Sequence, residues 1–430
     1  MRESVSVGLL GLGTVGSGVI RMIEGHQEEL QHRVGCPVHI EKVLVQSLNK
    51  ERLVPINRSL LTDQVDDIVN NPNVDIVIEV MGGIEETKKY ILQALKNKKH
   101  VVTANKDLMA LYGGELLEAA LENGCDLFYE ASVAGGIPII RSLVDGLASD
   151  RIKKLMGIVN GTTNYILTKM DQEGRDYNDV LQEAQALGFA EADPTSDVEG
   201  LDAARKMAIL STLGFSMKIN LEDVSVEGIS GVTREDIEYG NQFGYKMKLV
   251  GLAQKDNGKV EVSVGPTFIP KSHPLASVNN EYNAVYVYGE AVGETMFYGP
   301  GAGQLPTATA VVSDLVASIQ NMRLGVNGKH SITPQFDKSL KSPEEMKSKF
   351  FYRIHVKDEQ GALSQITTLF AEYNLSLKQL LQNQLPKEGL AEIVIITHQA
   401  SKKDDEAVYN RLRDLSVVHE IKSHYRVEGE

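Results

Sequence analysis

The chain has 430 residues, 42% of them hydrophobic and 24% charged, with a formal net charge of −14. That length exceeds one hydrophobic core, so two or three domains are expected, and the acidic balance excludes a phosphate-tracking surface, which needs clustered Lys and Arg. No apolar run approaches the ~20 residues of a membrane-spanning helix, Cys36 and Cys125 are too few for a disulfide framework, and the His residues form no ligand-spaced cluster. With an N-terminus that lacks a signal-peptide layout, these features predict a cytoplasmic protein with neither nucleic acid nor membrane as partner.

Val5–Leu10 is a short apolar run suited to a buried parallel strand. Gly11, Leu12, Gly13, Thr14, Val15 and Gly16 follow as G-x-G-x-x-G, and the stripe of Ile20, Met22 and Ile23 predicts a helix behind them. In that setting the glycines allow a tight turn and close backbone approach to a pyrophosphate, and the helix N-terminus offers free N–H groups. These six residues are the expected cofactor-binding turn. Further strands are predicted over residues 38–45, 74–80, 100–103 and 127–131, with helices over 85–98 and 113–123. The alternation implies an α/β fold with a doubly wound parallel sheet of Rossmann type, its ligand crevice at the carboxyl ends of the strands. The second strand ends without the acid that usually holds the ribose 2′-hydroxyl of NAD. Gln46 and Ser47 stand there, with Lys50 and Arg52 close behind, so NADP is expected to bind at least as well as NAD. Residues 103–106 put Lys106 at the carboxyl edge of the sheet.

The small-residue loop over 130–138 can turn several carbonyls toward one point. With Glu130 beside it, the loop suits either a hard monovalent cation held by oxygen donors or a tight backbone crossing next to the cofactor. A strand is predicted over 154–159, then helices over 161–170, 177–187 and 201–213, with Thr162 or Thr163 as a cap for the first. Asp202 and Lys206 stand at i and i+4 on the last helix, one turn apart on one face. Acids crowd the loop before it. Such an arrangement can hold a small cationic substrate and move a proton; the plainer reading is a surface ion pair. Residues 259–297 alternate like an antiparallel sheet. The glycine-rich turn and apolar helix of 299–315 are expected to pack back onto the nucleotide domain. Residues 325–349 read as a polar linker. Beyond them the order is strand, helix, two strands, helix, strand, a split βαβ sandwich.

The 11–16 turn, residues 103–106, 130–138 and 160–164, the 187–206 block and residues 299–315 together resemble the homoserine dehydrogenases over nearly the whole first 325 residues. The Leu-Gly-x-x-Glu-x-Asp-Pro…Asp…Gly-x-Asp-x-x-x-Lys pattern carries most of the likeness. The resemblance implies reversible reduction of L-aspartate 4-semialdehyde to L-homoserine with NADPH or NADH. It implies Lys206 as proton donor and acceptor at the C4 oxygen, Asp202 as its orienter, and Lys106 in contact with substrate or cofactor. Glu191 and Asp197 would hold the amino-acid end of the substrate. Val15, Thr103, Gly188 and Gly303 would touch the cofactor, and Glu130, Val133, Gly135 and Ile137 would form a sodium-binding loop. Residues 350–430 resemble an ACT domain through Asp358-x-x-Gly361-x-Leu363, which implies an amino-acid effector, threonine by its place as an end product.

The expected division is 1–128 plus 304–325 for nucleotide binding, 129–303 for catalysis and dimerisation (an α+β domain), 326–349 as linker and 350–430 as the ACT-like domain. A homodimer or homotetramer is expected. Two other classes compete: an aldehyde-oxidising dehydrogenase acting through a cysteine thioester, for which neither Cys36 nor Cys125 is well placed, and a non-enzymatic sensor, in which the acids around Asp202 would be superfluous.

Overall fold

The computed structural model describes residues 4–328, 333–386 and 389–429. It divides into two compact units. The first comprises Met1–Leu155, Arg205–Val224 and Asn283–Lys338; the second comprises Met156–Ala204, Ser225–Tyr282 and Ser339–Glu430.

The first unit is built on six strands: β1 (Val5–Leu10), β2 (Val38–Leu44), β3 (Leu61–Thr62), β4 (Ile76–Glu79), β5 (His100–Thr103) and β6 (Leu127–Phe128). They lie in the order β3-β2-β1-β4-β5-β6 and every pairing is parallel. The chain thus winds outward from β1 in both directions, and the topological switch point falls between β1 and β4. The central strands are apolar on both faces: Val7, Leu9, Ile76, Ile78 and Val102 are buried in one core, and the alternate residues Leu10, Val77 and Val101 are buried on the other face. Ala308, Val311, Leu315 and Ile319 of the late helix Gln304–Leu324 share that core. The return of residues 304–324 to the nucleotide-binding sheet is therefore real at the level of side-chain packing.

Three elements differ from the sequence expectation. The strand expected over 127–131 stops at Phe128, and a single 3₁₀ turn, Glu130–Ser132, follows it. The helix expected from residue 113 begins seven residues earlier. It spans Lys106–Asn123, with Asn105 as N-cap accepting the Leu108 N–H at 3.0 Å. Paired glycines at 113 and 114 weaken helix propensity, but Leu108, Met109 and Leu116 are buried, and packing outweighs it. The β-rich stretch starts at Tyr245, not 259.

In the second unit, Tyr245–Asp256 and Lys259–Pro270 form a long antiparallel pair. Lys259–Pro270 also runs beside the last strand, Val418–Val427, through a short parallel contact at Thr267 and Phe268. Val418–Val427 pairs with Lys347–Lys357, which pairs with Leu390–Thr397, which pairs with Leu377–Gln384, all antiparallel. Helices Ala362–Glu372 and Lys402–Asp414 complete the βαββαβ order. Their buried residues Ile366, Phe370, Val408 and Leu412 close a core with Tyr352, Ile354 and Ile393. Residues 329–332 of the segment expected as a linker lie outside the described residues, but its later part is tied down: its last residues already belong to the strand Lys347–Lys357, Leu340 bridges to Val260, and Lys341 makes a buried ion pair with Glu261 at 3.5 Å.

Candidate active site

Within the first unit the glycine turn leads into the helix Thr14–Gly25. Gly11 has φ +105°, and a Cβ there would meet the Met81 backbone at 2.9 Å, so only glycine fits the turn. Gly13, the N-cap, contributes no side chain, which leaves the first-turn N–H groups facing outward for an anion. Beyond the strand ends lies a cleft of about 300 Å³. Val15, Glu79, Val80, Ala104, Lys106, Ala134, Gly135, Lys206, Gly301 and Thr307 are among the residues that line it. It therefore gathers four expected site residues, Val15, Lys106, Gly135 and Lys206, from four separate segments.

Lys206 is only 8% exposed. Its helix, Leu201–Phe215, is fixed near the Lys106 end of the neighbouring helix by an ion pair from Arg205 to Asp107 at 2.7 Å. Thr103 does not line the cleft. It lies behind it, fully buried, donating from Oγ1 to Glu79 at 2.5 Å. Gly303 is the N-cap of Gln304–Leu324 with φ +123°. Cys125 is buried, and that burial pushes its thiol up to about 11, which leaves it a poor nucleophile.

The 130–137 loop turns sharply, with Ala134 and Gly135 successively left-handed at φ +55° and +50°. A Cβ on Gly135 would sit 2.4 Å from the Gly301 carbonyl oxygen. The Glu130 carboxylate accepts the N–H groups of Ile140 at 2.7 Å and Arg141 at 2.8 Å. The Glu130 N–H donates to Asp314 at 2.8 Å, and Arg141 pairs with the same carboxylate at 2.6 Å. Burial, with the nearby Glu130 charge, pushes Asp314 up to about 7. No group of three or more His, Cys, Asp or Glu side chains among the described residues is arranged to hold a metal.

In the second unit a single amide gathers two acids. Asn160 donates from Nδ2 to Asp197 at 2.7 Å and to Asp202 at 2.9 Å. Its Oδ1 caps the helix Gly161–Glu173 by accepting the Thr163 N–H at 2.9 Å. Asn160, not Thr162 or Thr163, is thus the cap. Thr162 Oγ1 instead donates to the Phe189 carbonyl at 2.5 Å and reaches Asp197 at 3.3 Å. Gly188 and Glu191 lie on the exposed loop that follows Tyr177–Ala186, where Gln185 holds the Glu191 carbonyl at 3.0 Å. Asn160 and Glu79 are the two functional candidates that sequence reasoning misses. An asparagine that caps a helix, and an acid ending an apolar parallel strand just before Gly82 and Gly83, are the available signals.

A parallel sheet with a glycine turn at its switch point, a cleft holding two lysines and a helix carrying an acid one turn from a buried lysine define a nicotinamide-dependent oxidoreductase. Family models of homoserine dehydrogenase match residues 138–316, of its NAD-binding domain residues 11–130, and of the ACT domain residues 353–417. The homoserine dehydrogenase of Bacillus subtilis is 62% identical over 430 residues, 99% of each chain; that of Synechocystis is 42% identical over 99% of each. The solved homoserine dehydrogenase of Thiobacillus denitrificans superposes with a TM-score of 0.93 at 39% identity, over 99% of this chain and 98% of that one. The chain belongs to the homoserine dehydrogenase family. It is an oxidoreductase that interconverts L-aspartate 4-semialdehyde and L-homoserine with a nicotinamide cofactor, and it carries an ACT domain.

Proposed function

We propose that Lys206 gives and takes the proton at the C4 oxygen of the substrate. The observation that supports this is its burial on the same cleft as Lys106 and Val15. Bound NADPH or NADH supplies the hydride. The residues of the chain orient the carbonyl, exclude water and stabilise the oxyanion charge that develops as the carbonyl is reduced. Lys206, as an ammonium, donates to that oxygen, and as an amine it accepts the alcohol proton in the reverse direction. Asp202 orients it, directly or through a water. Glu191 and Asp197 hold the substrate ammonium, with Asn160 fixing Asp197 and Asp202 at one amide. Lys106 contacts substrate or cofactor. The 11–16 turn, Gly188 and Gly303 contact the cofactor, and Thr103 supports the site from behind the cleft through Glu79. Following NADPH absorbance after homoserine and NADP are added tests the reaction; a flat trace with the intact protein refutes it.

NADP binds at least as well as NAD in this reading. A second cleft of about 380 Å³ lies beyond β2 and is lined by Lys50, Arg52 and Arg58, three cations suited to a ribose 2′-phosphate. A homologous hyperthermophilic archaeal homoserine dehydrogenase, 27% identical with a TM-score of 0.62 over 73% of this chain, was solved in complex with NADPH.

The loop at 130–137 suits a sodium ion held by main-chain oxygens. No hydrogen bond among the described residues ends on the carbonyl oxygens of Val133 or Gly135, and carbonyls suit hard cations. Because its carboxylate is taken by Ile140 and Arg141, Glu130 contributes its carbonyl, with Ile137 as fourth donor, and these two oxygens also accept the Val133 N–H at 3.4 Å and the Ile139 N–H at 2.8 Å. Exchanging sodium for tetramethylammonium is expected to lower the thermal midpoint; an unchanged midpoint removes the ion from this account.

Threonine binds at the turn around Asp358, Gly361 and Leu363, where ACT-like domains pair in a homodimer or homotetramer of a cytoplasmic enzyme. Among the described residues no helix is long and apolar enough to cross a membrane. Titration calorimetry with threonine tests the effector, and sedimentation tests the assembly; no heat and a monomer reject both.

A further inference from the structure

Glu79 ends β4 at the floor of the cofactor cleft and is fully buried. Its Oε1 accepts the N–H groups of Met81 at 2.9 Å and Gly82 at 3.0 Å, and its Oε2 accepts the Thr103 hydroxyl at 2.5 Å. Thr103 Oγ1 in turn accepts the Asn105 N–H at 3.0 Å, and Asn105 Nδ2 returns to the Gly83 carbonyl at 2.7 Å. A closed ring of hydrogen bonds therefore ties the turn after β4 to the turn after β5. The first turn is the wall against which Gly11 packs, with the Met81 backbone 2.9 Å from a Cβ at that glycine. The second delivers Lys106, the first residue of its helix. Burying a carboxyl is costly unless each oxygen is satisfied; here both are, and an apolar residue of the same volume would orphan the Met81 and Gly82 N–H groups and the Thr103 hydroxyl. The carboxyl therefore holds these turns rather than merely filling volume.

We propose that Glu79 is a positioning residue of the dehydrogenase: its carboxylate sets the 80–83 turn, and through it the dinucleotide and Lys106, in one fixed relation. The inference rests on the reading that this cleft takes the cofactor. Burial pushes the Glu79 carboxyl above the usual carboxylate range, and its hydrogen bonds offset only part of that rise. Uncharged glutamine keeps the volume and one oxygen that can accept both backbone N–H groups. Methionine keeps the volume and accepts neither.

Two variants test the proposal. Glu79→Met is expected to raise the NADPH Kd by about tenfold or more and, because Lys106 loses its fixed place, to lower kcat at saturating cofactor as well. Glu79→Gln is expected to restore both to within about threefold of the parent. Parental NADPH affinity in Glu79→Met overturns the proposal, as does a loss in Glu79→Gln equal to that in Glu79→Met. Should Glu79→Met not fold, amide exchange at Met81 and Gly82 in the unaltered enzyme decides. Slow exchange that slows further with NADPH supports the proposal, and open-loop exchange overturns it. A side chain at position 13 would meet no protein atom within 4 Å of its Cβ, so Gly13→Val blocks only the pyrophosphate. If that variant binds NADPH normally, the cofactor reading of the cleft fails; if only the Glu79 variants are silent, Glu79 alone loses its role.

Discussion

The Nε of Arg353 lies 2.7 Å from Oδ1 of Asp236, with both side chains buried. Arg353 belongs to the strand that opens the ACT module, and Asp236 to the first turn of Arg234–Gln242, where it also completes a capping box with Thr233. The same guanidinium reaches Glu392 at 3.1 Å and Thr233 at 3.0 Å. The module is thereby fastened to the preceding part of its unit by charge as well as by strand pairing. Removing one partner strands the others in a dry site. Arg353→Met is expected to cost about 3–5 kcal/mol. Since the chain has no Trp, circular dichroism in urea is the suitable readout. A parental midpoint would contradict the argument.

Lys206→Ala is expected to lower turnover by ~10²–10⁴, the usual loss for a positioned acid–base group. NADPH affinity should stay close to the parent, because the dinucleotide is held from the glycine turn. Stopped-flow turnover and a fluorescence titration check the two halves separately, and near-normal turnover refutes the assignment.

Arg58→Ala is expected to weaken NADP more than NAD, because only NADP carries the 2′-phosphate that a planar guanidinium can grip. The ratio of kcat/KM for the two cofactors should fall toward one and lose part of its salt dependence. An equal effect on both cofactors would place the 2′-phosphate elsewhere.

Asp314 couples stability to pH. Its carboxyl is pushed from 3.8 to about 7 by burial and by Glu130. Folding therefore favours its protonated form. The contribution to stability is complete below pH 3.8 and declines as pH rises to about 7, where the folded protein also gives up the proton. Asp314→Asn keeps an acceptor for the Glu130 N–H and removes the titration. Thermal midpoints measured from pH 4 to 7 should fall less steeply in that variant than in the parent; parallel curves would count against it.

Much of this molecule is legible in its sequence. The glycine turn and the alternating strands follow from local spacing that has one good structural solution, whereas the spacing of Asp202 and Lys206 suits a surface ion pair equally and only the burial of Lys206 speaks against that. Lys106 is legible as a strand-end residue, although its helix reads seven residues late, because Gly113 and Gly114 outweigh Asn105 as a signal. Glu79 escapes notice for a physical reason: an acid ending an apolar strand looks like a solvent-facing terminus, and only the turned-back N–H groups of Met81 and Gly82 give it work. Asn160 is hidden the same way, since its second role needs Asp197 and Asp202 to arrive from elsewhere in the chain.

The return of Gln304–Leu324 to the first core has a consequence for synthesis. Val7, Ile20 and Ile76 emerge from the ribosome long before Val311 and Leu315. At roughly 5–20 residues per second, the newborn sheet waits on the order of ten to forty seconds for its last helix. Throughout that interval the part of the core that Val311 and Leu315 will close, beside Val19, Ile20 and Ile23, stays open apolar surface that the newborn chain must keep from wrong contacts.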